Sequence, residues 1–205
     1  MSRAVAPSPA IVIAAGGAGR RMGGGKAERL LGGVRLIDRA IDWARGQSDC
    51  LALAMAPEAR PEGRLEGGDL PLLSDRVSGA GPIAALDSAL RFAADQGREH
   101  VLLIGCDMPF LPADLIARLR AGIGPTGAAL PRRDGRLHTL AGLWHSEPAG
   151  LAAWIAGGGR SLWGYAEQAG LVVIDWEAAG PDPFTNLNTP ADLAAAEVWL
   201  TSTGR

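Results

Sequence analysis

The chain has 205 residues, of which 47% are hydrophobic, and this is enough to bury a substantial core. It carries 20 Lys and Arg against 22 Asp and Glu, and the net charge of −2 argues against a general nucleic-acid binder, which needs a basic surplus. No apolar run is long enough to span a bilayer. We therefore expect neither nucleic acid nor a membrane as a partner.

The start of the chain, residues 1–9, is short and broken by prolines. It does not resemble a secretory signal and is expected to be a flexible tail. The two cysteines, Cys50 and Cys106, form no CxxC pair and no cluster with histidine. Such cysteines are expected to be free thiols in a reducing compartment, so the sequence predicts a cytoplasmic protein.

Short apolar runs alternate with helical spacings along the rest of the chain. The predicted elements, in chain order, are strand 10–15, helix 34–45, strand 51–55, helix 82–94, strand 101–105, helix 112–120, strands 128–130 and 139–144, helices 147–156 and 161–169, strand 171–175 and a last helix from about 190 to 200. This alternation predicts an α/β fold with three layers, a mostly parallel sheet flanked by helices. Residues 10–205 are expected to form a single domain, in which 125–185 make a less regular region that builds half of a site.

A glycine-rich loop follows the first predicted strand and reads AAGGAGRRMGGGK from Ala14 to Lys26. In open α/β sheets, ligands bind at the carboxyl ends of the strands, where this loop lies. Glycines let backbone N–H groups approach a phosphate, and the interspersed Arg20, Arg21 and Lys26 can neutralise its charge. The alternative is a surface loop with incidental charges.

Two common phosphate motifs do not fit this loop. The P-loop pattern GxxxxGK[ST], counted back from Lys26, needs glycine where the chain has Arg20, and Ser or Thr where it has Ala27. The dinucleotide pattern GxGxxG, counted from Gly17, needs glycine where the chain has Met22. The loop therefore indicates another kind of phosphate site.

Three later motifs fall where ligands of such a sheet are expected. Asp107, in IGCDMPFLP, follows an apolar strand directly and can hold Mg²⁺, although it could instead cap the next turn. Gly81, in GAGPIAAL, precedes a proline at a helix start whose N–H groups either face a ligand or simply begin the helix. In TNLNTPADL, Thr189 and Asp192 are typical of a capping box, which leaves Asn188 available for a site.

Together these motifs resemble those of the molybdenum cofactor guanylyltransferases. The loop resembles LAGGxxxRMGxxDK, and the later motifs resemble GPLAG, CDxP and NxNTPx[DE]L, in the same order over residues 11–193. The loop departs from the family twice, because its stretch between RMG and the lysine is one residue shorter and Gly25 stands where the family has aspartate. The resemblance implies a Rossmann-like nucleotidyltransferase fold.

The resemblance also implies which residues form the site. Catalysis is assigned to Arg21, Lys26 and Asp107, with Mg²⁺ held by Asp107. Nucleotide binding is assigned to Ala14, Ala15, Gly16, Gly17, Lys26, Asp75, Gly81 and Asp107, although Asp75 could be an ordinary exposed loop residue. A pterin substrate is expected to meet Arg132, His138, Arg160, Ser161 and Asn188.

The three histidines, His100, His138 and His145, show no metal-ligand spacing.

The implied reaction transfers GMP from GTP to the phosphate of molybdopterin and releases pyrophosphate. Its attacking phosphate oxygen is ionised at neutral pH, so no general base is required. Gly16 and the segment GPIAAL favour guanylyl transfer over the related cytidylyltransferases, whose loop resembles LAAG. The alternatives are cytidylyl transfer to the same pterin, a sugar-1-phosphate nucleotidyltransferase, and a non-catalytic module that binds nucleotide or cofactor and delivers it. A molybdoenzyme or chaperone is the protein partner expected for delivery.

Overall fold

The structure is a computed structural model that describes residues 7–15, 25–55, 70–74, 81–177 and 180–203. Its strands are β1 (Ala10–Ala14), β2 (Leu30–Leu31), β3 (Val34–Arg35), β4 (Leu51–Ala54), β5 (Leu72–Leu73), β6 (His100–Gly105), β7 (Ala128–Arg133), β8 (Arg136–Leu137), β9 (Ala141–His145) and β10 (Leu171–Asp175). Its helices are α1 (Leu36–Arg45), α2 (Pro82–Asp95), α3 (Leu115–Ile123), α4 (Pro148–Ala156), α5 (Leu162–Ala169) and α6 (Pro190–Thr203), and a 3₁₀ turn covers Lys26–Glu28.

Most of these strands form one sheet. Within the described residues its order is β10-β7-β9-β6-β1-β4-β5, with β8 paired to β7. Strand β1 is parallel to its neighbours β4 and β6, whereas β9 runs antiparallel between β6 and β7. The prediction of a mostly parallel sheet is confirmed, and the reversed β9 brings its first residues to the edge where β1 and β6 end.

Helices cover both faces of the sheet and complete the three predicted layers. In β6, Leu102 and Ile104 pack toward α1 and α3, while Val101 and Leu103 pack toward α2, α4 and α5. Side chains of a strand alternate between faces, so a strand buried on both faces must be continuously apolar. This explains why the run VLLIG predicted its strand so clearly.

Helix α6 packs against the β2–β3 hairpin. Leu31 and Leu36 share a small buried cluster with Ala196 and Leu200 of the helix. Gly32 turns the hairpin with φ 58°, and a side chain there would overlap Leu200, so glycine is required. Because the hairpin directly follows the 3₁₀ turn, this packing brings the chain just before α6 close to that turn.

The structure corrects three predictions about the elements. Strand β3 occupies residues 34–35, so α1 begins at Leu36 rather than at residue 34. Helix α3 begins at Leu115, because the chain after Pro112 first makes a turn in which the Leu115 N–H donates to the Pro112 C=O at 3.2 Å. The stretch 125–185, which was expected to be less regular, instead supplies β7, β9 and β10 to the main sheet, so that prediction is wrong.

The end of the predicted N-terminal tail is anchored to the folded chain. The Ser8 hydroxyl donates to Asp49 Oδ1 at 2.8 Å, and Arg98 donates to the Ser8 C=O at 3.1 Å, so residue 8 is anchored although it was expected in a flexible tail. Residues 1–6 lie outside the described part.

The two cysteines, Cys50 and Cys106, are buried and free, as predicted. Among the described helices none is long and apolar enough to cross a membrane.

Candidate active site

A cavity opens at the carboxyl edge of the sheet, beside the ends of β1, β4 and β6. As bounded by the described residues, its volume is about 220 Å³. Six residues predicted from the sequence line it, namely Ala14, Ala15, Lys26, Gly81, Asp107 and Asn188. The fold therefore brings together motifs that lie far apart in the sequence.

Lys26, Asp107 and Asn188 contact one another in the wall of this cavity. The Lys26 ammonium forms an ion pair with the Asp107 carboxylate and donates to Asn188 Oδ1 at 2.6 Å. Asp107 is only 6% exposed, and the Lys26 side chain is 17% exposed. A partly buried lysine beside a carboxylate and an amide forms a set that can bind phosphate and a hard divalent cation.

Asp107 is positioned by the end of β6. The Cys106 N–H donates to the Ala14 C=O at 3.1 Å, which continues the pairing of β6 with β1, and the Leu187 N–H donates to the Asp107 C=O at 2.9 Å. A Cβ on Gly105 would overlap the Asp107 carboxylate. Glycine at this strand end therefore makes room for the carboxylate, a role that the sequence analysis did not assign to Gly105.

Lys26 is positioned by Gly25 and the 3₁₀ turn. Gly25 has φ 57°, a left-handed conformation that glycine adopts without strain. The Glu28 N–H closes the turn by donating to the Gly25 C=O at 2.9 Å. The conformation gives a physical reason for glycine at this place, where the resembling family has aspartate.

Asn188 is held by the start of α6. Its N–H and that of Thr189 both donate to Asp192 Oδ2 at 2.8 Å, and the Asp192 N–H donates to Thr189 Oγ1 at 3.1 Å. The Asn188 N–H and the Thr189 groups hold the pKa of Asp192 below its usual value. The predicted capping box is confirmed, and it leaves the Asn188 side chain to bind Lys26.

Helix α2 begins beside the cavity. Gly81 precedes it with φ 64°, Pro82 is its first residue, and the Ala84 N–H donates to the Gly81 C=O at 3.0 Å. Gly81 and Pro82 both line the cavity. The positive end of a helix dipole and the N–H groups of a first turn favour an anion at this position.

Cys106 also lines the cavity but is not suited to be a nucleophile. Burial raises the pKa of the Cys106 thiol to about 12, and the charge of Asp107 adds to this rise. Because the thiolate is the reactive form of cysteine, this thiol stays unreactive at neutral pH.

Four predicted site residues lie outside the described part of the chain, namely Gly16, Gly17, Arg21 and Asp75. Their roles in nucleotide binding and catalysis remain predictions.

Arg132 and His138 lie on the β7 side of the sheet and do not line the described cavity. Arg132 donates two hydrogen bonds of 2.6 and 2.8 Å to Asp175, its partner across the β7–β10 pair. This pairing raises the pKa of Arg132 and lowers that of Asp175. His138 is buried against Phe184, with Nε2 3.3 Å from Asp182 Oδ2, and burial lowers its pKa. Contact of either residue with a pterin remains a prediction.

Arg160 and Ser161 lie at the junction of α4 and α5. Arg160 donates to the carbonyls of Ile155 and Gly159 at 3.0 and 2.7 Å, which satisfies backbone groups at the end of α4. Ser161 Oγ accepts the Gly164 N–H at 3.0 Å and caps α5. Both residues have a structural role and neither lines the described cavity, so their substrate role also remains a prediction.

The fold resembles solved structures of nucleotidyltransferases. It superposes on molybdopterin-guanine dinucleotide biosynthesis protein A from Archaeoglobus fulgidus with a TM-score of 0.67 and 22% identity, covering 94% of this chain and 98% of that one. The match to 2-C-methyl-D-erythritol 4-phosphate cytidylyltransferase from Thermus thermophilus has a TM-score of 0.70 and 20% identity. It covers 95% of this chain and 99% of that one. The α/β architecture, a mostly parallel sheet between helices, is shared with both of these proteins.

Sequence similarity identifies the chain as a nucleotidyltransferase and also identifies its family. Residues 11–171 match the family model of the MobA-like NTP transferase domain. A molybdenum cofactor guanylyltransferase from Rhizobium johnstonii is 37% identical, covering 92% of this chain and 91% of that protein. Another molybdenum cofactor guanylyltransferase, from Acidiphilium cryptum, is 40% identical, and the match covers 91% of this chain and 92% of that protein. The chain belongs to the MobA-like NTP transferase family, in the group of the molybdenum cofactor guanylyltransferases.

Proposed function

We propose that the protein transfers the GMP group of GTP to the phosphate of molybdopterin, forming the guanine dinucleotide cofactor and releasing pyrophosphate. Relatives between 35% and 40% identical are named for guanylyl transfer in molybdenum cofactor synthesis. The observation that carries the proposal is the contact of Lys26 with Asp107 and Asn188 at the carboxyl edge. A nucleotide phosphate binds at this edge in related open sheets.

The proposed transfer forms one phosphorus–oxygen bond and breaks another. An ionised oxygen of the molybdopterin phosphate attacks the α-phosphorus of GTP. The bond from that phosphorus to the oxygen bridging the β-phosphate breaks, and pyrophosphate leaves with the electron pair. No proton has to be removed from the attacking oxygen, so the protein acts by holding two polyanions in line and by stabilising their charge.

Lys26 is suited to stabilise this charge. Its ammonium already lies in the cavity wall between Asp107 and Asn188. The flexible lysine stem lets the ammonium exchange the Asp107 carboxylate for an entering phosphate oxygen, while Asn188 keeps it beside the cavity. We propose that Arg21 and the backbone of the glycine-rich loop add to this stabilisation.

Asp107 is proposed to hold Mg²⁺. A nucleotidyltransferase family suggests a divalent metal requirement, and the donor set fits Mg²⁺, which usually takes one or two protein carboxylates and completes its shell with phosphates and water. Gly105 leaves the space in which the Asp107 carboxylate lies. Mg²⁺ held by Asp107 would neutralise the charge that develops on the phosphates during transfer.

We propose that the nucleotide contacts the ends of β1 and β6 and the start of α2. The proposed contacts are Ala14, Ala15, Gly16, Gly17, Lys26, Asp75, Gly81 and Asp107. The names of the relatives support guanine over cytosine, which leaves cytidylyl transfer as the second candidate.

Molybdopterin is proposed to enter from the β7–β10 side of the same edge. Arg132 and His138 lie on that side of the sheet. Arg160 and Ser161, at the junction of α4 and α5, are proposed to meet the same substrate. Arg132 is 42% exposed in its side chain, so it can leave Asp175 for a phosphate at little cost. We propose that a molybdoenzyme or its chaperone receives the product.

The nucleotide part of the proposal can be tested by thermal unfolding with GTP, CTP, ATP or UTP, each with Mg²⁺. A ligand at 100 times its Kd adds about 2.7 kcal/mol, which raises Tm by a few degrees. Selective stabilisation by GTP is expected. Selective stabilisation by CTP would support the cytidylyl candidate, and no response to any nucleotide would contradict both.

A further inference from the structure

We propose that Glu99, His100 and His145 form a second metal site, for a divalent transition-metal ion such as Zn²⁺, at the edge of the sheet opposite the active site. Nothing in this inference depends on guanylyl transfer. It rests on a cluster of ligand atoms that the sequence does not predict, because His100 and His145 are far apart in the chain.

The ligand atoms are close enough to share one ion. Each of the three residues offers one such atom, and these atoms all lie within 4.8 Å of one another. The two imidazole rings have centroids 4.3 Å apart, and His100 Nδ1 lies 3.8 Å from Glu99 Oε2. Donor atoms around one zinc ion are separated by about 3.3 Å. The Glu99 side chain is 66% exposed, so its carboxylate is free to rotate toward the two rings.

The sheet register creates the cluster. In the antiparallel β6–β9 pair, His100 is directly opposite His145. Directly opposed residues project from the same face with their Cβ atoms about 5 Å apart, which suits two imidazoles binding one ion. Glu99 immediately precedes β6, and its C=O accepts the Ser146 N–H at 2.9 Å, so the backbone also holds the carboxylate at this edge.

The surroundings of the two rings are typical of metal-binding histidines. His145 Nε2 lies 3.3 Å from the Gly124 C=O, and a proton donated there leaves the lone pair of Nδ1 for a metal. His100 is 8% exposed, and its Nδ1 lies 3.8 Å from Glu99 Oε2, beyond hydrogen-bond distance, so the lone pair of Nδ1 is available to a metal between the two residues.

Two imidazoles and one carboxylate, with water in the remaining position, match the preferences of Zn²⁺ rather than those of Mg²⁺.

The site is separate from the active site. His100 begins β6 and Gly105 ends it, and six strand residues span roughly 17 Å. A bound ion would cross-link the start of β6 to the end of β9, two adjacent strands of the sheet. Its expected effect is on stability, with no part in the chemistry at Asp107.

Metal titration of the full chain tests this inference. The protein is stripped with a chelator and titrated with Zn²⁺ by calorimetry, and with Co²⁺ by its visible absorption. The variants are His145→Ala and the exposed Glu99→Gln. Glu147→Gln is the matched control, because Glu147 is an exposed carboxylate at the same edge outside the cluster. The variant Asp107→Asn shows how much of the measured Zn²⁺ and Co²⁺ binding occurs at the active site.

We expect one ion to bind the wild type, Glu147→Gln and Asp107→Asn at least tenfold more tightly than His145→Ala. Glu99→Gln should weaken binding as well, and Zn²⁺ should raise Tm only in proteins with the complete cluster. Equal affinity of the wild type and both cluster variants would overturn the site. So would loss of all Zn²⁺ binding in Asp107→Asn, since the ion would then belong to the active site. Glu99→Gln serves as the readout if His145→Ala does not fold.

Discussion

Among the buried aspartates of the described residues, Asp87 and Asp107 each pair with a cation, and the two pairs differ in where the cation comes from. Asp87 is 4% exposed and accepts two hydrogen bonds of 3.0 Å from Arg91, one turn further along α2. Asp107 is 6% exposed and pairs with Lys26, which lies 81 positions away in the sequence. The first pair is local to one helix, whereas the second exists only because the sheet assembles.

The comparison shows that burial and charge alone do not identify a site. The Asp87–Arg91 pair lies outside the cavity and adds an ordinary i,i+4 contact to a helix. The Asp107–Lys26 pair lies in the cavity wall, with Asn188 as a third member. We therefore expect substitutions at the first pair to change stability, and substitutions at the second to change activity.

The largest effect is expected for Asp107→Asn. Loss of the carboxylate removes the proposed Mg²⁺ ligand, and turnover with GTP and molybdopterin should fall by on the order of 10³-fold. Asp87→Asn is the matched control, with activity within about twofold of wild type and a loss of about 1 kcal/mol in the free energy of unfolding. Circular dichroism checks that both variants are folded. Full activity of Asp107→Asn, or inactivity of folded Asp87→Asn, would contradict the assignment of the first aspartate to activity and the second to stability.

A somewhat smaller loss is expected for Lys26→Met. Removal of the ammonium takes away one charge that stabilises the phosphates, and kcat/KM should fall by about 10²-fold. Lys26→Arg should recover part of this loss, because a cation remains but with another geometry. If Lys26→Met keeps its kcat/KM for GTP, the ion pair is structural, like that of Asp87.

Asn188→Ala is expected to act through Lys26. The amide oxygen accepts from the Lys26 ammonium at 2.6 Å, so its loss leaves the lysine less well placed. We expect kcat/KM for GTP to fall by about tenfold, with little change in stability, because Asn188 is exposed and the capping bonds use its backbone. Steady-state kinetics and thermal unfolding measure the two quantities. A large fall in Tm with unchanged kinetics would assign Asn188 to the helix cap alone.

The smallest effect on stability is expected for Arg132→Ala. Its pair with Asp175 is exposed on both sides, at 42% and 62%, and such exposed pairs add little to stability. If Arg132 meets the pterin phosphate, this variant should raise the KM for molybdopterin and leave that for GTP unchanged. Unchanged KM for both substrates would remove Arg132 from the proposed pterin site.

The sequence predicted most of the fold because the central elements carry strong local signals. VLLIG is apolar throughout and became β6, and TPAD supplied the capping box at the start of α6. The two-residue strands β2, β3, β5 and β8 were missed, since two residues carry no periodicity. The strand β7 runs on to Arg133, beyond its predicted end at residue 130, because β10 pairs with Pro131 and Arg132 despite their weak strand signal.

The candidate site was predictable in its residues but not in its contacts. Lys26, Asp107 and Asn188 were found from motifs, yet their mutual bonds depend on packing of α6 against the β2–β3 hairpin. Gly105 was missed because its importance is the space it leaves for a side chain two residues later. The pairing of His100 with His145 was missed because it depends on strand register, which single-sequence patterns do not provide.

Guanylyl transfer itself is measured as product formation by the wild-type protein with GTP, molybdopterin and Mg²⁺. Pyrophosphate and the pterin–guanine dinucleotide are quantified together, with CTP replacing GTP and a sugar 1-phosphate replacing molybdopterin in parallel reactions. We expect equal amounts of pyrophosphate and dinucleotide from GTP with molybdopterin, and far less product in either parallel reaction. GTP binding without pyrophosphate release, or equally fast reaction with CTP or with the sugar phosphate, would contradict the proposal.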